Sequence, residues 1–201
     1  MPRVSVERNA DGPGSTVTIG GVGSFSTPLP PEKLPVDGAE LSEFDAERLV
    51  SALEEAALGF GAKMLGIRLM TRGMFIERMV REGYDEDTAS RAADKFEKLG
   101  AIDDEEYARL FSESRRLRGW GQIRIRGELR RRGVRDDVID DVLSGFEDMS
   151  GEIERFIEKR TGGVLVDRRQ ADKIAAALIR RGFKWDEIRP VLDRYTGDEY
   201  N

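Results

Sequence analysis

Three copies of one pattern, set 50 and 49 residues apart on Gly83, Gly133 and Gly182, restrict what this chain can fold into. An apolar residue stands eight and four places before each glycine: Phe75 and Met79, Ile125 and Leu129, Ile174 and Leu178. Another follows directly as Tyr84, Val134 or Phe183. Arginines crowd the last turn before the glycine, where the negative end of a helix dipole favours cations, and the glycine supplies the left-handed residue that ends a helix. Four places further on comes an aspartate, Asp87, Asp137 or Asp186, in the first turn of a next helix. Apolar residues then recur at three- and four-residue steps, through Ala89, Ala92 and Ala93, through Ile139, Val142 and Leu143, and through Ile188, Val191 and Leu192. Each series closes on an aromatic: Phe96, Phe146 or Tyr195. Such steps put one apolar stripe on each helix.

A leading helix completes each unit. In the middle unit Asp103 is placed to cap it and Glu106 to close the box, with Tyr107, Leu110, Phe111, Ser114 and Leu117 expected inward. In the last unit Ile153, Phe156 and Ile157 take that part, and in the first the Phe60 to Met70 region. A period near 50 holding three helices predicts a tandem array whose core extends by stacking. Pro190 falls early in the final helix and is expected to delay or kink it.

The start of the chain reads differently. Residues 4–8 and 15–19 alternate and carry β-branched side chains around the turn-forming Asn9–Gly14, which predicts a hairpin. Residues 22–27 offer a third strand, and a sheet this small must lean on a helix or partner. Six of the seven prolines lie in the first 35 residues and predict a stiff linker after the strands. A helix then starts at Ser42 or Asp45 and runs towards Arg72, with a break expected near Gly59, Gly61 and Gly66 and a stop at Gly73. The fold class is therefore mostly α: an elongated tandem array of three three-helix repeats, preceded by a small β-rich segment, either a hairpin or a three-stranded meander. The boundaries expected are 1–40 for the leader and Pro-rich linker, 41–101, 102–147 and 148–201.

With no cysteine and no histidine among 201 residues, disulfides, thiolate nucleophiles, the usual zinc sites and Ser-His-Asp arrangements are excluded. No cofactor is expected. The first twenty residues lack the apolar core of a signal peptide, and no run approaches the ~18 apolar residues of a membrane span, so an intracellular, cytoplasmic protein without a membrane partner is expected. The net charge of −6 conceals a pattern. Arg109 to Arg135 holds ten arginines against Glu113 and Glu128, while 136–158 holds nine acids against Arg155. Neighbouring blocks of opposite sign can steer a charged partner. Gly119-Trp120-Gly121 lacks the lysine and preceding strand of a phosphate loop and reads as a helix connection with Trp120 over the core. Asp103/Asp104 and Asp136/Asp137 read as helix-capping pairs rather than as a cation site or an acid–base pair, Asp140/Asp141 either as a wet face or as a contact for a basic partner, and the repeated aromatics as core.

Asp103 to Arg109, Arg115-Arg116-Leu117-Arg118-Gly119-Trp120-Gly121 and Ile125…Leu129-Arg130-Arg131-Arg132-Gly133-Val134 together resemble the central repeat of the RecX family. Leu178 to Phe183 with Ile188…Val191-Leu192 is similar to that family's third repeat. The first unit is less similar: it keeps Met79…Gly83-Tyr84 but has Met74-Phe75-Ile76 where the family's second helix opens with more polar residues. The resemblance spans about residues 50–196. It implies a non-enzymatic bacterial regulator that binds the groove of the RecA–DNA filament and suppresses its ATPase and strand exchange in recombination and DNA repair. RecA filament, single- or double-stranded DNA within it, and a monomeric state are the partners and assembly so implied.

The candidate partner-binding residues are Arg115, Arg116 and Arg118 on and after the leading helix, Arg124, Arg126, Arg130, Arg131 and Arg132 on the second helix, and Arg135 beyond the glycine. Arg124, Glu128, Arg131 and Arg135 are expected to share the face opposite Ile125 and Leu129. Arginine's planar fork of donors suits carboxylates and phosphates alike. Three readings stand side by side: a modulator of a recombinase filament, a helical module that binds DNA without it, and an enzyme. No nucleophile–base or metal constellation supports the third. Salt-sensitive binding to bare DNA would distinguish the second from the first.

Overall fold

A computed structural model describes residues 1–9, 13–146, 148–163 and 168–196. The expected hairpin turn falls partly outside these residues, at 10–12, as does Glu147 of the acidic block. Two compact units divide the chain between Asp103 and Asp104.

Unit 1 opens with three antiparallel strands in the order β1-β2-β3: β1 (Val4–Arg8), β2 (Ser15–Ile19) and β3 (Gly23–Thr27). Val17 faces Val6 on one side and Phe25 on the other. Of the two leader forms expected, the chain takes the three-stranded one. The outer edge of β1 is closed by 36–40, where the Val4 N–H donates to the Ala39 carbonyl (2.8 Å) and the Gly38 N–H to the Val4 carbonyl (2.9 Å). Val4, Val17 and Ile19 pack on Ala46 and Leu53 of α1 (Glu43–Leu65), so the sheet does lean on a helix. Ser42 caps α1 by accepting from the Asp45 N–H.

The expected break in α1 does not occur. The helix runs through Gly59 and Gly61 to Leu65, and its cap is Gly66. Glycine costs ~1 kcal/mol against alanine in a helix interior, but at Gly61 a Cβ would stand 2.7 Å from the Phe96 ring and 2.8 Å from the Phe75 ring. Those rings meet edge to face, 5.5 Å between centroids. Close packing outweighs propensity here. Gly73 is likewise no stop, for it lies in the first turn of α2 (Arg72–Arg81), capped by Thr71. The leading helix of the first triplet is thus the second half of α1, with Ala57 and Met64, and Met70 is buried in the turn beyond it. α3 (Glu86–Lys98) starts at the Asp85 cap. Asp85 also fastens the sheet: its carboxylate accepts from the Thr88 N–H (2.6 Å), the Thr88 hydroxyl (2.9 Å) and the Ser26 N–H of β3 (2.8 Å).

Unit 2 contains α4 (Asp104–Leu117), α5 (Gln122–Arg131) and α6 (Asp136–Ser144), then α7 (Ser150–Thr161), α8 (Arg168–Arg180) and α9 (Trp185–Thr196). Each triplet has its own cluster, and Phe146 packs against both. The nine apolar residues that flank the three repeat glycines, from Phe75 to Phe183, are all 5% exposed or less. Gly83, Gly133 and Gly182 have φ of 103°, 77° and 89°. In each case the following N–H reaches back five residues, as from Val134 to the Leu129 carbonyl (3.1 Å), closing the helix end. α9 carries Pro190 inside it without ending there.

Two expectations on α4 fail. Leu110 and Leu117 point outward, with Leu117 77% exposed, and the buried residues are Ala108, Phe111 and Ser112. Small residues four apart let α4 lie close on α6, its main neighbour within the triplet. The acid pair at the start of α6 does not cap it either, because the N-cap residue is Arg135 and no side chain caps there. Among the described residues no helix is long and apolar enough to cross a membrane.

Candidate partner-binding surface

The two blocks of opposite charge meet inside unit 2. α5 and α6 are antiparallel neighbours joined at Gly133, so arginines late on α5 face acids early on α6. Arg130 binds Asp136 and Arg126 binds Asp140, each at 2.5 Å, while Arg135 binds Asp137 at 3.0 Å. Glu128 accepts from both Arg131 and Arg132. The Arg131 hydrogen bond, helped by Arg132, holds the Glu128 carboxyl below the ordinary glutamate range against the opposing effect of desolvation. Arg130 does the same for Asp136.

The remaining arginines are held differently. Arg132 also donates to the Tyr107 hydroxyl (2.7 Å). Arg115 lies over the Phe111 and Trp120 rings at 4.6 and 5.0 Å, and Arg124 over Trp120 at 3.8 Å. Arg116 reaches out of its triplet: its Nε donates to the Glu152 carboxylate of α7 at 2.6 Å. Of the nine sequence candidates six are ion-paired and two stack on aromatic rings, which leaves Arg118, exposed in the turn after α4, outside both groups. The outer face of α5–α6 is therefore mixed in charge rather than uniformly positive. Arg131 and Arg135 are its most open cations, with side chains 70% and 74% exposed. Arg124, also exposed, has a further contact with the next triplet. Its backbone lies against Gly182, where a Cβ would come within 2.5 Å of the Arg124 nitrogen.

That contact is part of the junction between the last two triplets. The Gly121 N–H donates to the Arg181 carbonyl (2.8 Å) and the Ile123 N–H to the Gly182 carbonyl (3.0 Å), so the start of α5 satisfies the end of α8. A Cβ at Gly121 would fall 2.2 Å from the Gly182 backbone, which explains the second glycine of Gly-Trp-Gly.

Beside this junction a cleft of about 660 Å³ opens between the end of α4, α7 and the end of α8. Arg116 and Arg118 line it together with Arg155, Lys159, Arg160 and Arg181. The last four were not among the sequence candidates. They lie 20 or more residues beyond the arginine-rich run, and Arg155 and Lys159 sit among acids in the sequence. The signal that could have singled them out is their i, i+4 spacing on α7, which places both on one face. Glu152, 4% exposed, is the only carboxylate lining the cleft among the described residues, and its Oε1 accepts from both Arg116 and Arg155 (2.8 Å).

Helical triplets, a clamped strand leader and a mixed-charge outer surface define a helical-repeat protein. Residues 103–143 match the model of the RecX second three-helix domain. Regulatory protein RecX of Halorhodospira halophila (strain DSM 244 / SL1) is 37% identical over 140 residues, covering 69% of this chain and 87% of that protein. Regulatory protein RecX of Mycobacterium tuberculosis (strain CDC 1551 / Oshkosh) is 32% identical over 142 residues, 66% of this chain and 82% of that one. The crystal structure of RecX from Lactobacillus salivarius superposes with a TM-score of 0.63 at 20% identity, over 71% of this chain and 96% of that one. A second crystal structure, of a regulatory protein RecX, gives 0.66 at 18% identity over 96% and 100%. The chain belongs to the RecX family, a family of regulatory proteins rather than enzymes.

Proposed function

We propose that this chain binds the RecA–DNA filament, lowering its ATPase and strand exchange, and that the exposed α4–α6 arginines form part of the contact. Membership of the RecX family through residues 103–143 is the observation that supports this most. The mixed charge of α5–α6 suits a protein surface bearing both signs, where complementary pairing sets register and speeds encounter. It suits a bare phosphate track less well, because Asp136, Asp137 and Asp140 stand among the arginines. The three triplets act as repeats along one partner, and the strand leader belongs to the first.

The decisive measurement is RecA's DNA-dependent ATPase with this protein added below stoichiometry. The expected result is inhibition, and an unchanged rate at excess protein refutes the reading. Arg131→Glu with Arg135→Glu, both exposed and away from the triplet junction, is expected to weaken inhibition about tenfold, the scale of one or two charge-assisted contacts. Undiminished inhibition by that variant would remove this face from the contact.

A further inference from the structure

We propose that the cleft between α4, α7 and the end of α8 binds a compact polyphosphate, the ligand class represented by nucleoside triphosphates. Among the described residues six cations and one carboxylate line it, an excess of five positive charges in about 660 Å³. That volume falls within the range of about 300–1,000 Å³ usual for small-molecule sites. Like charges gathered so closely repel one another, and the fold itself has no use for the excess. One arginine would suffice to neutralise buried Glu152. Instead two guanidiniums share its Oε1, so that both heads are fixed over the cleft while most of their donors stay unused by it. Arg181 is fixed as well, donating to the Gly119 carbonyl at 3.2 Å. Three pre-oriented guanidiniums, with Lys159 and Arg118 beside them and unpaired among the described residues, form a fork suited to several phosphate oxygens at once.

The arrangement favours a compact anion over a nucleic-acid strand. A strand is tracked by a row of cations with open aromatic rings on which bases stack. The aromatic residue lining this cleft, Phe156, carries Arg160 and Arg181 over its ring at 5.7 and 4.8 Å, so guanidiniums occupy the platform a base would need. Exposed Leu117 provides apolar surface at the rim for the rest of a nucleotide. The cleft shares Arg116 and Arg118 with the arginines proposed to face RecA, but its test contains no RecA, so the two proposals fail separately.

Calorimetric titration of the full-length chain at low ionic strength, with sodium tripolyphosphate, ATP, inorganic phosphate and a dT oligonucleotide series as separate ligands, tests it. Saturable one-to-one binding of tripolyphosphate and ATP is expected, at least tenfold tighter than inorganic phosphate. Arg118→Glu with Lys159→Glu, both on exposed positions, is expected to weaken it by at least tenfold with an unchanged melting temperature. No saturation at millimolar tripolyphosphate, equal binding by the folded variant, or inorganic phosphate binding as tightly overturns the proposal. Oligonucleotide affinity that rises with length while tripolyphosphate fails to bind overturns it in favour of a strand track. Should the double variant melt early, Lys159→Gln alone supplies the comparison, and an unaltered affinity there counts equally against the site.

Discussion

Gly121 and Gly182 touch through their backbones, and neither can accept a methyl group without moving an element. The nearest atoms to a Cβ at Gly121 are backbone atoms of Gly182 and Phe183, which cannot rotate away. Gly121→Ala is accordingly expected to destabilise unit 2 by about 1–3 kcal/mol, the usual cost of overpacking, read as a lower midpoint in urea. Gly133, by contrast, is exposed, so Gly133→Ala should cost about 1–2 kcal/mol through its left-handed φ of 77° alone. Asp85 illustrates a different residue-scale effect. Burial raises its pKa, but the hydrogen bonds from Ser26 and Thr88 outweigh that and leave it below the ordinary aspartate value. The folded state thus takes up the proton less readily than the unfolded chain. Its stabilisation is complete above the ordinary aspartate pKa of 3.8 and is lost as pH falls through the lower folded value. Asp85→Ala is expected to cost about 1–2 kcal/mol at neutral pH and to flatten the acid limb of stability below about pH 4, measured by urea unfolding across pH. An equally steep acid limb in the variant would refute the role given to Asp85. The cap itself was open to reading from the sequence, but its second partner was not: Ser26 lies 59 residues away, and no local pattern links them.

At the scale of elements, legibility follows from whether a feature depends on one helix or on two. The glycine-ended helices were legible because the repeat positions, the dipole-favoured arginines and the left-handed stop all belong to single helices. The phase of α4 was not. Choosing Leu110 and Leu117 as inward rested on hydrophobicity, whereas the helix buries Ala108 and Ser112 because close approach to α6 selects size. The candidate site fared in the same way. Ten arginines in one run were plain in the sequence, but the pairing of Arg126, Arg130 and Arg135 with α6 acids is a tertiary outcome, as is the gathering of α7 and α8 cations around Arg116. Glu152 ties α4 to α7 through Arg116 and is nearly fully buried. Its partners are not: the Arg116 and Arg155 side chains are 37% and 61% exposed and can be rehydrated. Glu152→Gln, which weakens the hydrogen bonds from both Arg116 and Arg155, should therefore cost about 1.5–3 kcal/mol, the scale of a hydrogen bond to a charged group, and less than the roughly 3–5 kcal/mol of a fully buried pair broken on one side. A thermal melt compared with that of Arg116→Gln checks this, and the two losses should not add, since both remove the same contact.

On the scale of the molecule, the division between Asp103 and Asp104 separates two units with different internal economies. In unit 1 a single 23-residue helix serves two clusters: Ala46 and Leu53 support the sheet, while Ala57 and Met64 belong to the core of the first triplet. The sheet is further clamped by Asp85 and by Gly83, where a Cβ would strike the Pro13 carbonyl at 2.2 Å. Strands, α1 and triplet should thus unfold together, although a sheet of three short strands is marginal alone. Among its described residues unit 2 has no such shared helix. Its triplets are joined by Phe146, by Arg116 with Glu152, and by the α5–α8 backbone contact. These are enough to couple them, since they include a buried carboxylate and two backbone hydrogen bonds. Calorimetry of the full chain is expected to show two transitions, one reproduced by a fragment of residues 1–103 and the other by a fragment of residues 104–201. Gly121→Ala should move only the second of these, and Asp85→Ala only the first. If either substitution moves both transitions equally, or neither fragment folds, the units are thermodynamically one body and the division marks only packing density.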